Sequence, residues 1–304
     1  MSSSVSGARL AVLIAFAVLA AVPFFLPPYY VTLMLPALAY GVILLGFNLL
    51  FGYTGLLSFG HALFVCMGAY TIAALSSRFG ETRMELILLI AVVIGFVVAV
   101  PVGMLCVRYV RIFFGMLFHS FLFKFYDITG GDSGIPIVRP LLLGRDYADL
   151  DKTAFLTGPF YYYSLGLLLL LGWLMWRIVH SPFGVHLRSI SDNPRKAEYV
   201  GVNVYGAVGG LLLAVPTSLA DPELAYWTHS GNLAFMTGLG GFGNFFGPLL
   251  GAFVFIGLQD QLMSLTQYWR FALGVILIVI GLPKGLMGLL DARGRRGANQ
   301  EAKS

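Results

Sequence analysis

From Leu10 to Ser77 the chain contains no Lys, Arg, Asp or Glu. A helix that crosses a bilayer needs about 20 predominantly apolar residues, so three spans fit before the first internal charge. Further charge-free runs follow at Leu86–Val107, Thr153–Trp176, Tyr199–Ala220 and Leu224–Gln259. A last one, Phe271–Pro283, extends backwards through Gln261–Trp269 across Arg270. The pattern predicts an all-α polytopic membrane protein forming one transmembrane domain over residues 1–304, with the lipid bilayer as its solvent. The segment Leu10–Leu26 follows a short stretch with one Arg, as in a secretory signal, but no small-residue cleavage site follows, and it is read as a span.

Charge sets the orientation. Arg177, Arg188, Arg195 and Lys196 cluster in and just before one loop, about 178–204, and Lys284, Arg293, Arg295, Arg296 and Lys303 cluster in a tail, about 284–304. The positive-inside rule places both in the cytoplasm, and Arg9, Arg108 and Arg111 fall on the same side if the spans alternate. The opposite face receives Asp127–Pro159, with five Asp against two Arg and one Lys, and the short loop with Asp221 and Glu223. Between Asp221 outside and the tail inside there are two apolar segments, Asn232–Leu258 and Gln261–Leu282, where an odd number of crossings is required. One must enter and leave on the same side, and the first is interrupted by Gly238, Gly240, Gly241, Gly243, Gly247 and Pro248. The expectation is eight spanning helices plus a glycine-rich re-entrant hairpin, with both termini cytoplasmic.

Composition narrows the function. With 58% apolar and 11% charged residues, the chain falls far below the roughly 25% charge of soluble domains. Cys66 and Cys106 both lie in apolar segments, where they pack as small hydrophobes; no disulfide is expected. No Lys follows a glycine, so the chain lacks a phosphate-binding loop, and any ATP and magnesium belong to another polypeptide. The five His residues, at 61, 119, 180, 186 and 229, have no paired helical spacing suited to metal. Neither an active site, a bound cofactor nor a nucleic-acid partner is expected. The apolar runs contain no Asp or Glu, which weighs against a proton- or ion-coupled carrier.

Candidate functional residues come from two glycine-rich stretches. Gly243, Gly247 and Gly251 recur every fourth residue and suit close helix packing or a subunit contact. In Gly52–Ala62, Ser58 and His61 suit hydrogen bonding to a polar solute, although a lone His also serves to bond a neighbouring helix. The candidate pathway groups are Thr54, Ser58, His61 and the backbone at Gly238, Gly240, Gly241 and Gly243. Lys124 sits near a helix end, where it can snorkel to the headgroups. In the basic loop, Leu187, Ile190 and the Pro194-initiated turn with Ala197 suggest short amphipathic helices, suited either to solvation or to docking a soluble partner.

Five blocks in order, Gly52–Tyr70, Thr129–Gly134, Ser181–Gly201, Gly238–Gly251 and Pro283–Gly285, resemble the permease subunits of branched-chain amino acid ABC importers. The resemblance covers nearly the whole chain. It implies a bacterial inner-membrane protein that pairs with a second homologous permease, two cytoplasmic ATPase subunits and an extracytoplasmic solute-binding protein. It also implies a transport subunit rather than an enzyme, with ATP and Mg on the ATPases. Ser181–Gly201 is similar to the segment that docks on the ATPase, and Gly184, Arg188, Ala197 and Gly201 match the family pattern there. Related permeases carry urea and short amides, and no residue separates these from amino acid permeases. A gradient-driven secondary carrier is the alternative from another class.

Two segments depart from the family by being short. Arg111 to Thr129 reaches roughly 26 Å as a helix, and Gly206–Leu219 roughly 21 Å, against a hydrocarbon core of about 30 Å. The second also contains Gly209, Gly210 and Pro216. Trimmed helices that still span, or an altered member of the family, are the two expectations.

Overall fold

The computed structural model describes residues 2–54, 60–106, 111–181, 203–241 and 244–280. The charge-free N-terminal run forms three helices, α1 (Ser2–Phe25), α2 (Pro28–Thr54) and α3 (His61–Arg78). Pro27 and Pro28 separate the first two, because the residue before a proline avoids helical backbone while a proline at the first helical position gives up an amide that has no partner anyway. There follow α4 (Met84–Cys106), α5 (Arg111–Lys124), α6 (Lys152–Val179), α7 (Asn203–Thr217), α8 (Trp227–Gly240), α9 (Gly247–Leu265) and α10 (Trp269–Ile280). Among the described residues, α2, α4, α6 and α9 contain stretches long and apolar enough to cross a bilayer on that basis alone.

One end of the bundle is covered by the segment between α5 and α6. Thr129 Oγ1 bonds the Phe125 carbonyl at 2.8 Å and also that of Leu122. Gly130, Gly131 and Gly134 then turn the chain with φ of +75°, +56° and +67°. A Cβ on Gly134 would lie 2.3 Å from the Ala220 carbonyl oxygen, so this block requires glycine for both conformation and space. The turn delivers β1 (Ile135–Pro136) to β2 (Leu219–Ala220), which follows α7; they pair antiparallel, Ile135 opposite Ala220. Ser77 Oγ, at the end of α3, donates to the Pro136 carbonyl, and Arg78 Nη2 donates to that of Asp127 at 3.0 Å. The start of α4 is held by Met84 N to Leu141 O at 3.0 Å. This is the capped end.

Helix α7 is the centre of the structure. It has 15 residues, about 22 Å of helix, and every residue from 205 to 215 is buried. It packs between α2 and α3 at backbone distance. An added Cβ on Gly210 would meet the Val65 carbonyl oxygen at 1.8 Å, one on Gly68 the Ala207 carbonyl oxygen at 1.8 Å, and one on Gly209 the Ile43 side chain at 2.3 Å. Its paired glycines are contact points; the short helix is lined by protein over its length, which explains how it tolerates a length below that of a free-standing span.

The glycine-interrupted region is a helical hairpin. α8 and α9 pack on each other, and a Cβ on Gly251 would lie 1.9 Å from the Met236 carbonyl oxygen, and one on Gly240 1.8 Å from that of Gly247. Tyr29 Oη donates to Asp260 Oδ1 at 2.7 Å, and Asn48 Nδ2 donates to the Asn244 carbonyl at 3.1 Å. The far end of α9 therefore lies beside the start of α2, at the capped end, and the hairpin turn lies towards the other end. The boundaries differ from the sequence expectation in one respect. Helix α9 runs through Asp260 to Leu265, so the acidic residue that divides two apolar runs in the sequence lies inside a span-length helix, its carboxylate served by a tyrosine hydroxyl.

Candidate translocation site

His61 is the first residue of α3 and is 1% exposed. Its ring stands edge-on to Phe47 of α2 at 5.0 Å. The neighbouring Ala62 amide, one of the donors a helix start leaves without an intrahelical partner, donates to Ser230 Oγ of α8 at 2.9 Å. That bond joins the start of α3 to the hairpin. Thr54 closes α2; Ser58 and Gly243 lie outside the described residues. The structure brings His61 to the first half of α8, and not to the glycines at its end. Gly238 is half-buried, Gly240 packs against Gly247, and Gly241 caps the helix with φ +111°, its amide bonding the Thr237 carbonyl at 3.0 Å. Gly247 and Gly251 face α8 inside the same hairpin.

Further buried polar groups lie around His61, on both sides of it along α2. Next to Ser230 is His229, 8% exposed, whose ring lies 5.7 Å from that of Tyr40. The Nε2 of His229, the hydroxyl of Tyr70 and the Oδ1 of Asn48 are buried without a hydrogen-bond partner among the described residues. Native proteins leave few such groups, and each calls for an explanation. Tyr40 in turn lines a cavity of about 380 Å³ between α2, α7, α9 and the link after β2. Its polar walls are Tyr40, Thr217, Asp221, Gln259 and Asp260, and the remainder is aliphatic, including Leu213, Leu224, Ile256 and Met263. The volume falls within the roughly 300–1,000 Å³ of small-molecule sites. Sequence reasoning missed this cavity, because Asp221 and Asp260 each stand between apolar runs and nothing in the sequence pairs them.

Towards the opposite end, the hairpin turn meets the end of α6. The Trp176 ring lies 5.1 Å from that of Phe245 and 5.9 Å from that of Phe246, and stacks on His180 at 3.9 Å. Trp176 stands just before the basic loop, so the hairpin turn touches the helix from which that loop departs. The loop itself, with Gly184, Arg188, Ala197 and Gly201, lies outside the described residues, as does the basic tail. Lys124 is the last residue of α5, and His119 Nε2 lies 3.8 Å from Glu223 Oε1. Cys66 is free and buried, and the described residues contain no group of His, Cys, Asp and Glu suited to a metal ion.

Outside the spans, two carboxyls are held below their usual range. Glu81 accepts from the Arg83 amide at 2.9 Å and from its guanidinium at 3.1 Å. Asp151 accepts from the Thr153 amide at 3.1 Å, capping the start of α6.

A family model described as "Branched-chain amino acid transport system / permease component" matches residues 29–281. The chain is 27% identical to the high-affinity branched-chain amino acid transport system permease protein LivM of Escherichia coli, over 90% of this chain and 74% of that one. It is 26% identical to the LivM protein of Salmonella typhimurium, over 87% and 71%. No solved structure gives a significant match. The match spans α2 to α10, including both short helices and the hairpin, and the chain belongs to the permease-component family of branched-chain amino acid transport systems.

Proposed function

We propose that this chain is one of two membrane-spanning subunits of an ATP-driven importer for branched-chain or similar small amino acids. It lies in a bacterial inner membrane with the capped end outside and the termini and basic loop in the cytoplasm. A second permease completes the passage, two ATPase subunits bind ATP and Mg on the cytoplasmic side, and a solute-binding protein delivers the amino acid to the capped end. The family match over residues 29–281 carries this reading.

The geometry supports a division of labour. The basic loop, through Gly184, Arg188, Ala197 and Gly201, docks on an ATPase. Its motion reaches the hairpin turn through Trp176 and the rings of Phe245 and Phe246, since packed elements move as units. The solute passes beside the junction of α2, α3 and α8, where His61 is buried next to the Ala62–Ser230 bond; Thr54, Ser58 and the backbone around Gly238–Gly243 are the further candidates to contact it. No bond chemistry is required of this chain.

The test is co-purification of the tagged chain with its partner permease and ATPases, followed by ATP hydrolysis and uptake in vesicles with and without loaded binding protein. Stimulated hydrolysis is expected. Gly184→Asp or Arg188→Glu should leave the complex assembled and abolish stimulation. Trp176→Ala should keep hydrolysis while lowering uptake roughly tenfold, the loss of about 1.4 kcal/mol of coupling. Uptake by the chain without any ATPase would replace this reading with a gradient-driven carrier.

A further inference from the structure

The cavity at the capped end and the buried polar groups beyond Tyr40 both present hydrogen-bond acceptors, alongside the hydroxyls of Tyr40 and Thr217 and the Gln259 amide. Asp221 and Asp260 face the cavity, with no Lys, Arg or His among its lining side chains. One carboxylate oxygen of each is engaged, Asp221 Oδ1 by the Glu223 amide at 2.9 Å and Asp260 Oδ1 by Tyr29 at 2.7 Å. An ionised carboxylate has further lone pairs to give. Behind Tyr40, His229 is buried with Nε2 unpartnered, an acceptor when the proton sits on Nδ1. Nearer the hairpin turn, Asn48 is 2% exposed; its Nδ2 is satisfied by Asn244 and its Oδ1 is not.

Unsatisfied buried acceptors cost free energy that is recovered only when a donor arrives. We propose that this row, from Asp221 and Asp260 through His229 to Asn48, is the track for the ammonium group of the transported amino acid, with the aliphatic wall of the cavity receiving its side chain. The ammonium brings three donors and one positive charge, which suits two carboxylates at the mouth and neutral acceptors deeper in. The solute's carboxylate finds no cation in this cavity and faces away from the track. This inference rests on the importer reading for the identity of the solute, and not for the charge preference of the cavity.

The mouth is tested without transport. In the assembled complex, with Cys66→Ala and Cys106→Ala, the exposed cavity residue Thr217 is changed to Cys. It is then labelled with a trimethylammonium-bearing and a sulfonate-bearing methanethiosulfonate. Two nearby carboxylates should make the cationic reagent about tenfold faster relative to the anionic one at high local dielectric. Asp221→Asn with Asp260→Asn should abolish that preference. Equal rates before the Asn changes, in a complex whose ATP hydrolysis is still stimulated, overturn the track and leave the importer reading standing.

The deeper part is tested by uptake. His229→Leu should lower kcat at least tenfold with KM and stimulated hydrolysis little changed, and His229→Gln, which keeps an acceptor, should restore most of it. If Leu and Gln behave alike, His229 is only packing, and the track is overturned beyond its mouth. Should both variants fail to assemble, Asn48→Asp against Asn48→Leu, read for the same kcat difference, decides the same question.

Discussion

Helices α4 and α7 invert what their sequences suggest. α4 is a long apolar helix and in isolation the better span, yet Leu89, Val93, Phe96, Val97 and Val100 are exposed along one side of it. Their three- and four-residue spacing makes this a single face turned to lipid. α7 is short, contains two adjacent glycines and a proline, and is buried on all sides from 205 to 215. In water, apolarity separates inside from outside. In a bilayer the surrounding tails are as apolar as leucine, so it separates nothing, and small residues mark where helices meet.

The strongest way to break this comparison is to add one methyl group. Gly210→Ala places a Cβ 1.8 Å from the Val65 carbonyl oxygen, a backbone atom that has no rotamer to escape into. The purified chain should lose at least the roughly 3 kcal/mol at the upper end of overpacking costs, seen as a large fall in yield and thermal stability. Gly166→Ala in α6 is the control, since a Cβ there meets nothing within 4 Å. It should be neutral or stabilising by up to about 1 kcal/mol. Equal tolerance at both positions would remove α7 from the centre of the fold.

A smaller effect sharpens the same point at the junction of α3 and the hairpin. Ser230 is fully buried, and its hydroxyl accepts the Ala62 amide. Ser230→Ala leaves that amide without its acceptor and should cost about 1–3 kcal/mol, the penalty of one buried unmatched donor. On the lipid-facing side, Val93→Ala should stay within about 0.5 kcal/mol. Thermal unfolding of the two variants in one detergent measures the contrast, and a larger loss at Val93 would reverse it.

Much of this architecture is legible in the sequence, for a physical reason. Hydrocarbon forces backbone groups to pair within helices, so charge-free runs translate directly into α1 to α4 and α6. The glycine-interrupted hairpin is legible because Gly240, Gly241 and Gly247 lie close together in the chain. The α7 contacts are not, since Gly68 and Gly210 are far apart in sequence and neither signals the other. The cavity is hidden for a related reason. A carboxylate at the edge of an apolar run reads as a loop, and the Tyr29 hydroxyl whose hydrogen bond Asp260 accepts inside α9 is delivered by α2, far away in sequence. His61 is legible as a polar group in an apolar setting, whereas the row it adjoins needs α2, α3 and α8 assembled.

The smallest expected effect lies in the link that joins the buried α3 to the exposed α4. Glu81 bonds the amide and guanidinium of Arg83, and these bonds favour its ionised form, holding its carboxyl below the ordinary value of 4.5. A depressed carboxyl stabilises the folded state fully above its unfolded value and loses that contribution as pH falls through the folded one. Between pH 7 and 5 the link should therefore be unchanged, and below about pH 4 the Arg83 amide should lose protection from hydrogen exchange. Glu81→Gln should show no such acid step once intrinsic exchange rates are divided out, because its neutral amide has no proton to gain. The effect stays local, since Glu81 and Arg83 lie at the solvated rim, where water replaces each lost bond. An acid step that instead spread into α7 would mean that the buried centre and the lipid-facing periphery unfold as one unit, and the contrast between them would then concern packing alone.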